Sequence, residues 1–360
     1  MRRALFTLLA CAAFLSAQDL VVRAGTVITG DGAALSPGAI LISGGKIASI
    51  GREVALPAGT TELDLPTAFV APGFIDCGTN LAVQRGVVED ERGFLPQYRV
   101  GENLALEDRA VLRHLKSGIT TFLSLPPDAN PLAGRAAVLS GPARGGVSVL
   151  RSDAGGVASL REGAWLRERQ VTSLVGALQA FATAELDGLR AASAEGLLLL
   201  TSSAREQQAA GRVQTLANVP ATWFIAANAD DFVMPPKETS RGVVLGGVLP
   251  QLHDRHLDLP RRILEAGHTL GFQTAAPRYE GATLRLAAIT ATQHGVEREA
   301  ALAALTSGAA KLLGVADKTG TLAPGKEGDL VIFDRHPLDP RARLLHVVQD
   351  GSVVDLARED

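Results

Sequence analysis

Residues 71–80 read Ala-Pro-Gly-Phe-Ile-Asp-Cys-Gly-Thr-Asn, and Asp76, Gly78 and Asn80 alternate out of the end of a short apolar run. Pro72-Gly73 is a turn signal, and Phe74-Ile75 suits the start of a buried strand. Metal-activated hydrolysis needs three or more imidazole or carboxylate ligands and a base to move the water proton. Glycine cannot ligate through a side chain, and an amide oxygen is a poor substitute for imidazole. Of the seven histidines, only His253 and His256, with Asp258, show ligand-like spacing. An i, i+3 pair could share a helix face, but Pro250 and Pro260 bracket the stretch and favour a loop. This trio stands as an alternative metal site. Cys77 is the one candidate nucleophile beside the strand end. No histidine is placed to activate it, so a packed thiol is expected. His268 opens a strand, where a structural role is expected, and His114, His294, His336 and His346 have no partner in view. Gly155-Gly156 and Gly246-Gly247 are lone pairs and do not make a phosphate loop.

The elements that must position these residues are read from pattern. The 360 residues, 46% hydrophobic and 20% charged, suit one large globular domain plus a small one. A net charge of −3 with no basic run argues against a nucleic-acid partner. Residues 20–65 carry β-branched runs around Gly25, Gly30-Asp31-Gly32 and Gly44-Gly45, which read as hairpins. Strand and helix signals then alternate, as a parallel barrel requires. A helix is expected over 106–117 with Gly118 as its stop, then a strand over 119–124. A second helix is expected over 175–192, and strands over 223–227, 242–246 and 269–272. The stretch 230–270 is short, and Pro235-Pro236 interrupts it, so at least one helix there is expected to be replaced by loop.

Two stretches carry a family resemblance. Residues 71–80 resemble the first barrel strand of the amidohydrolase superfamily, which ends in Asp-x-His-x-His. Residues 320–336, Gly-Thr-Leu-Ala-Pro-Gly-Lys-Glu-Gly-Asp-Leu-Val-Ile-Phe-Asp-Arg-His, resemble the family's Gly-x-Leu-x-Pro-Gly-Lys-x-Ala-Asp-Leu-Val, with Gly328 in place of the alanine. Residues 301–315 resemble the last barrel helix, and 130–139 a glycine-containing loop and strand of exported members. The chain is similar to imidazolonepropionase- and dihydroorotase-like metal-dependent hydrolases. The resemblance implies an α/β fold: a TIM-like (β/α)8 barrel over 71–317, incomplete where helices are lost. It also implies a discontinuous β-sandwich domain from 19–70 and 318–356.

The resemblance implies a ligand set that this chain lacks. The two first-strand histidines correspond to Gly78 and Asn80, the fifth-strand histidine falls near Ala226, and the last-strand aspartate corresponds to Ala275. The family uses zinc or a similar divalent metal, and none is expected here. The chain is therefore expected to be a catalytically inactive member of a family acting on C–N bonds other than peptide bonds. It would serve as a binding module for a small molecule, or as a partner subunit in a homodimer or in a heterodimer with an active amidohydrolase. The alternative is an active metal-dependent C–N hydrolase with an atypical site at His253, His256 and Asp258. Met1-Arg2-Arg3 followed by the apolar stretch 4–15 reads as a bacterial signal peptide over 1–17, implying export to the periplasm or beyond. Leu8-Leu9-Ala10-Cys11 resembles a lipoprotein signal and leaves anchoring through Cys11 open.

Overall fold

The structure is a computed structural model that describes residues 19–84, 92–105, 109–141, 146–161, 165, 171–226, 232–246 and 257–357. The expected signal segment with Cys11, and the candidate ligands His253 and His256, lie outside the described residues.

The chain begins with five strands: β1 (Leu20–Ile28), β2 (Ala34–Leu35), β3 (Gly38–Ser43), β4 (Lys46–Gly51) and β5 (Thr61–Pro72). The central segment then runs β6 (Phe74–Thr79), α1 (Arg109–Lys116), β7 (Ile119–Ser124), β8 (Leu132–Arg135), β9 (Ala137–Ser140), β10 (Ser148–Arg151) and β11 (Gly156–Ser159). It continues with α2 (Leu174–Ala182), α3 (Leu186–Ala192), β12 (Leu197–Thr201), α4 (Ala204–Ala217), β13 (Ala221–Ala226) and β14 (Ser240–Gly246). Next come α5 (Leu259–Glu265), β15 (Leu270–Gln273), α6 (Ala282–Gln293), α7 (Arg298–Ala303) and α8 (Ser307–Leu313). Three strands finish the chain: β16 (Leu330–Phe333), β17 (Leu344–Gln349) and β18 (Ser352–Val353).

Strands from both ends of the chain share one eight-stranded sheet, in the order β18-β17-β16-β5-β1-β3-β4 with β2 beside β1. β16 pairs antiparallel with the far end of β5, Leu330 opposite Pro72 and Phe333 opposite Phe69. This pairing sets the sheet directly against the start of β6. The central strands form a four-stranded sheet, β10-β9-β7-β6, and a six-stranded one, β15-β14-β13-β12-β11-β8. β6 and β7 are parallel, and β11 to β15 are parallel throughout. β8 and β9 are successive pieces of one extended segment, interrupted at Ala136. β9 runs antiparallel to β7, and β8 antiparallel to β11, so this segment joins the two sheets.

Burial explains the strand sequences. All of β7 and β12 is buried, as expected for strands covered on both faces. Ile75, Cys77, Leu123, Val157, Leu198, Leu200, Phe224 and Val244 pack into one cluster with Ala309, Leu312 and Leu313 of α8. Phe74, Ile119, Leu199, Trp223, Ile225, Val243 and Phe272 belong to a second cluster, shared with the helices. Alternate residues of each strand thus face opposite sides.

Several expected elements differ in detail. The helix expected over 175–192 is two helices, because the backbone N–H groups of Thr183 and Glu185 both bond Ala180 O and tighten the chain out of the helix. The last helix region is likewise divided into α7 and α8. Among the described residues, the connection from β13 to β14 holds one 3-10 turn, Lys237–Thr239, directly after Pro235-Pro236.

A buried polar chain fastens the terminal sheet to the central strands. Gln349 Nε2 donates to Asp329 Oδ2 at 3.1 Å and to Ser140 Oγ on β9 at 2.6 Å. Asp350 N–H donates to Asp329 Oδ1, while Gln349 Oε1 has no partner among the described residues. Burial pushes the Asp329 carboxyl from 3.8 up to about 8. The native state therefore holds a proton that the unfolded chain releases, so this residue's contribution to stability falls as pH rises from about 4 to about 8. Asp329→Asn keeps an acceptor for Asp350 N–H and offers an amide to Gln349 Oε1. The variant is expected to melt a few °C above the parent at pH 8 and to show a flatter pH profile over that window (roughly 2–4 °C per kcal/mol). Calorimetric scans at pH 5 and pH 8 check this, and a variant less stable than the parent at both pH values would refute it.

Candidate functional site

β6 ends where the sequence placed the chemistry. Asp76 sits between Ile75 and Cys77 on β6, and it is fully buried. Its carboxylate accepts from Gly78 N–H at 3.0 Å, from Thr274 N–H at 3.1 Å and from Thr274 Oγ1. His114 Nε2 of α1 completes the set at 2.8 Å. His114, which has no partner in view from sequence, is therefore tied to Asp76 and packed edge-on against Phe122. Thr274 immediately follows β15, so Asp76 fastens the end of β6 to the end of β15. Two backbone bonds complete the seam, Ala275 N–H to Gly78 O at 3.0 Å and Asn80 N–H to Ala276 O at 2.7 Å.

Cys77 belongs to the cluster shared by the strands and α8 and is fully buried. Burial first, and the nearby Asp76 charge second, push its thiol well above the ordinary range. A buried thiol kept protonated is a packing group.

Of the positions that the resemblance assigns to metal ligands, Ala226 and Gly78 lie at strand ends linked through Gly246 and Gln273. Ala226 at the end of β13 pairs with Gly246 at the end of β14, which pairs with Gln273 at the end of β15. Gln273 then reaches back across Gly78. A Cβ built on Gly78 would stand 2.1 Å from Gln273 Oε1, and one built on Gly246 would stand 2.2 Å from Gln273 Nε2. The glutamine amide thus lies across two glycines, in the space their side chains would take. Ala275 follows at φ 57°, a left-handed conformation that Asp and Asn adopt more readily than Ala. Asn80 is exposed, and its Nδ2 donates to Leu125 O at 3.0 Å.

This donor set does not fit a divalent metal. Gly78, Ala226, Gly246 and Ala275 bring no ligating side chain, and Asn80 and Gln273 bring only amides. Among the described residues no group of three or more His, Cys, Asp or Glu could hold a metal ion. Of the alternative trio, Asp258 precedes α5 and pairs with Arg261 at 3.4 Å. His268 is buried before β15, and burial lowers its pKa. Sequence reasoning misses Gln273 as a site residue, and also the Asp76–His114–Thr274 cluster. The one signal for Gln273 is a bulky amide closing an apolar strand, and its significance shows only once Gly78 lies beside it.

Solved structures carry the same architecture. An amidohydrolase from Thermotoga maritima MSB8 superposes with a TM-score of 0.78 at 20% identity, covering 93% of this chain and 99% of its own. A putative prolidase from Bifidobacterium longum gives 0.58 and 18%, covering 94% and 95%. An ochratoxinase from A. niger gives 0.56 and 17%, covering 94% and 96%. Residues 261–355 also match the sequence model of the Amidohydrolase family. The chain shares the fold of these proteins, and its family match is confined to that C-terminal segment. Of the two stretches that carry the resemblance, 320–336 lies within the matched segment and 71–80 lies outside it. No curated protein matches the sequence. Among the described residues, no helix is long and apolar enough to cross a membrane.

Proposed function

We propose that this chain is a non-catalytic amidohydrolase-like protein, exported, that serves as a small-molecule binding module or as a partner subunit. The partner is a second copy or an active amidohydrolase. In this reading the two central sheets close as one eight-stranded barrel. The β8–β9 segment makes one seam and the Asp76–Thr274 bonds make the other. The terminal sheet is the small composite domain that clasps it.

The observation that carries the reading is Gln273. Its amide occupies the room above Gly78 and Gly246, at strand ends where a hydrolytic metal centre needs imidazole and carboxylate donors. A metal-bound hydroxide cannot form without those ligands. The architecture argues for common descent and not for activity. Solved relatives of similar fold include a molinate hydrolase and a phenylurea hydrolase B, and a hydrolytic role built on His253 and His256 is the competing reading.

The test is a hydrolysis assay of the full chain on amide, carbamate and urea substrates, with and without added zinc. No turnover above background is expected. Turnover that disappears on chelation and fails in His253→Ala or His256→Ala would establish the competing reading.

A further inference from the structure

A cavity of about 470 Å³ opens at the other end of the strands from Gln273. Small-molecule pockets span roughly 300–1,000 Å³, so its size suits a compact ligand. One wall is the last turns of α4, with Gly211, Thr215 and Asn218. The other is made by the residues that lead into β13 and β14, Pro220 and Glu238 among them. Gln214 of α4 is buried and donates from Nε2 to Thr239 O, which ties the two walls together.

Gly211 is the residue that local structure does not explain. It lies inside a 14-residue helix, where glycine is among the poorest choices. It does not have the left-handed φ that would call for glycine. A Cβ built there meets only Trp223 Cη2, at an ordinary 4.0 Å. Neither conformation nor packing requires a glycine here, and what its missing side chain leaves is open space on the cavity wall.

The charge of the lining is one-sided. Glu238 is the one charged residue among the described residues that line it. The Thr215 hydroxyl gives its proton to Gly211 O and keeps its oxygen as an acceptor. α4 ends at Asn218 with no basic residue in its last turn, and a helix C-terminus carries partial negative charge. The neighbouring cations are directed elsewhere: Arg190 donates to Leu216 O, and the Lys237 ammonium lies over Gly267. Neither lines the cavity. Val219, Pro220 and Pro236 add apolar surface. An anion would meet a carboxylate here, and a divalent metal ion would find one carboxylate where it needs six or more oxygens. A cation with an apolar body matches both parts of the wall.

We propose that this cavity binds a small organic ammonium ion, its charged end towards Glu238 and the end of α4, its apolar body against Val219, Pro220 and Pro236. The site is separate from the strand ends that hold Gln273, and it stands whether or not those support hydrolysis.

Ligand-detected NMR titration of the full chain with cyclohexylammonium, cyclohexanol and cyclohexanecarboxylate, at constant ionic strength, tests it. Cyclohexylammonium is expected to bind with Kd on the order of 1–10 mM, a weak fragment affinity. Cyclohexanol should bind about threefold more weakly and the carboxylate about tenfold more weakly, since an exposed charge and a helix end each contribute modestly. Glu238→Gln, a change at an exposed residue, should weaken the ammonium about threefold and leave cyclohexanol unchanged. Gly211→Leu fills the cavity and should weaken the ammonium at least about tenfold, with a melting midpoint no lower than the parent's because leucine favours the helix. No binding of the ammonium, equal binding of ammonium and alcohol, or ammonium binding unchanged in either variant would overturn the proposal.

Discussion

Placing a histidine at position 78 is expected to destabilise the protein by about 1–3 kcal/mol, the usual cost of overfilling a packed interior. The new Cβ would fall 2.1 Å from Gln273 Oε1 and 3.2 Å from Gln273 Cβ. Gln273 Oε1 is the mobile end of its side chain, but Gln273 Cβ is close as well, so the glutamine must repack to admit an imidazole. Gly78 does not have the left-handed φ that would itself exclude a side chain, so the penalty comes from the glutamine. Gln273→Gly in the same chain should therefore recover most of the loss. The measurement is a double-mutant cycle of Gly78→His and Gln273→Gly by urea unfolding. A coupling energy above about 1 kcal/mol is expected for residues in direct contact. Additive effects would show that the glutamine does not occupy the room a side chain at position 78 needs.

Removing the carboxylate of Asp76 is expected to cost more, about 3–5 kcal/mol. Asp76→Ala leaves Gly78 N–H, Thr274 N–H, Thr274 Oγ1 and His114 Nε2 without their acceptor in a fully buried place. Each buried donor stranded in this way carries a desolvation penalty of about 1–3 kcal/mol, partly relieved by rearrangement. His114→Ala should cost less, about 1–2 kcal/mol, since the carboxylate keeps its three bonds to Gly78 and Thr274. Urea midpoints of the two variants check the order. A loss under about 1 kcal/mol for Asp76→Ala would show that the seam between β6 and β15 is held by something else. Asp76, the one first-strand residue of the family pattern present here, thus has a structural task that does not depend on a metal.

Much of this fold is legible in the sequence. The strand at 119–124 is bounded correctly because β-branched residues follow a glycine stop, while the strand expected over 242–246 begins two residues earlier, at Ser240. The pairing of the terminal strands into one sheet is signalled by the 320–336 motif. β12 is not legible, since four consecutive leucines at 197–200 carry no periodicity that separates strand from helix. α4 is easily overlooked although Ser203 and Glu206 form a capping box at its start, because that signal is narrow and lies in a polar stretch. The Asp76–His114 pair spans 38 residues, and nothing local marks such a contact. Gln273 shows the same limit at the site itself. Its meaning appears only when β15 lies beside β6, where the amide and Gly78 complement each other in volume.

Whether this chain has a hydrolytic metal centre is tested most directly by elemental mass spectrometry. The full chain is purified without chelators, incubated with zinc and dialysed into zinc-free buffer. Metal at background, well below about 0.1 ion per chain, is predicted because the strand-end positions offer no imidazole or carboxylate set. About one or two zinc ions per chain, retained through dialysis and lost in His253→Ala or His256→Ala, would contradict it.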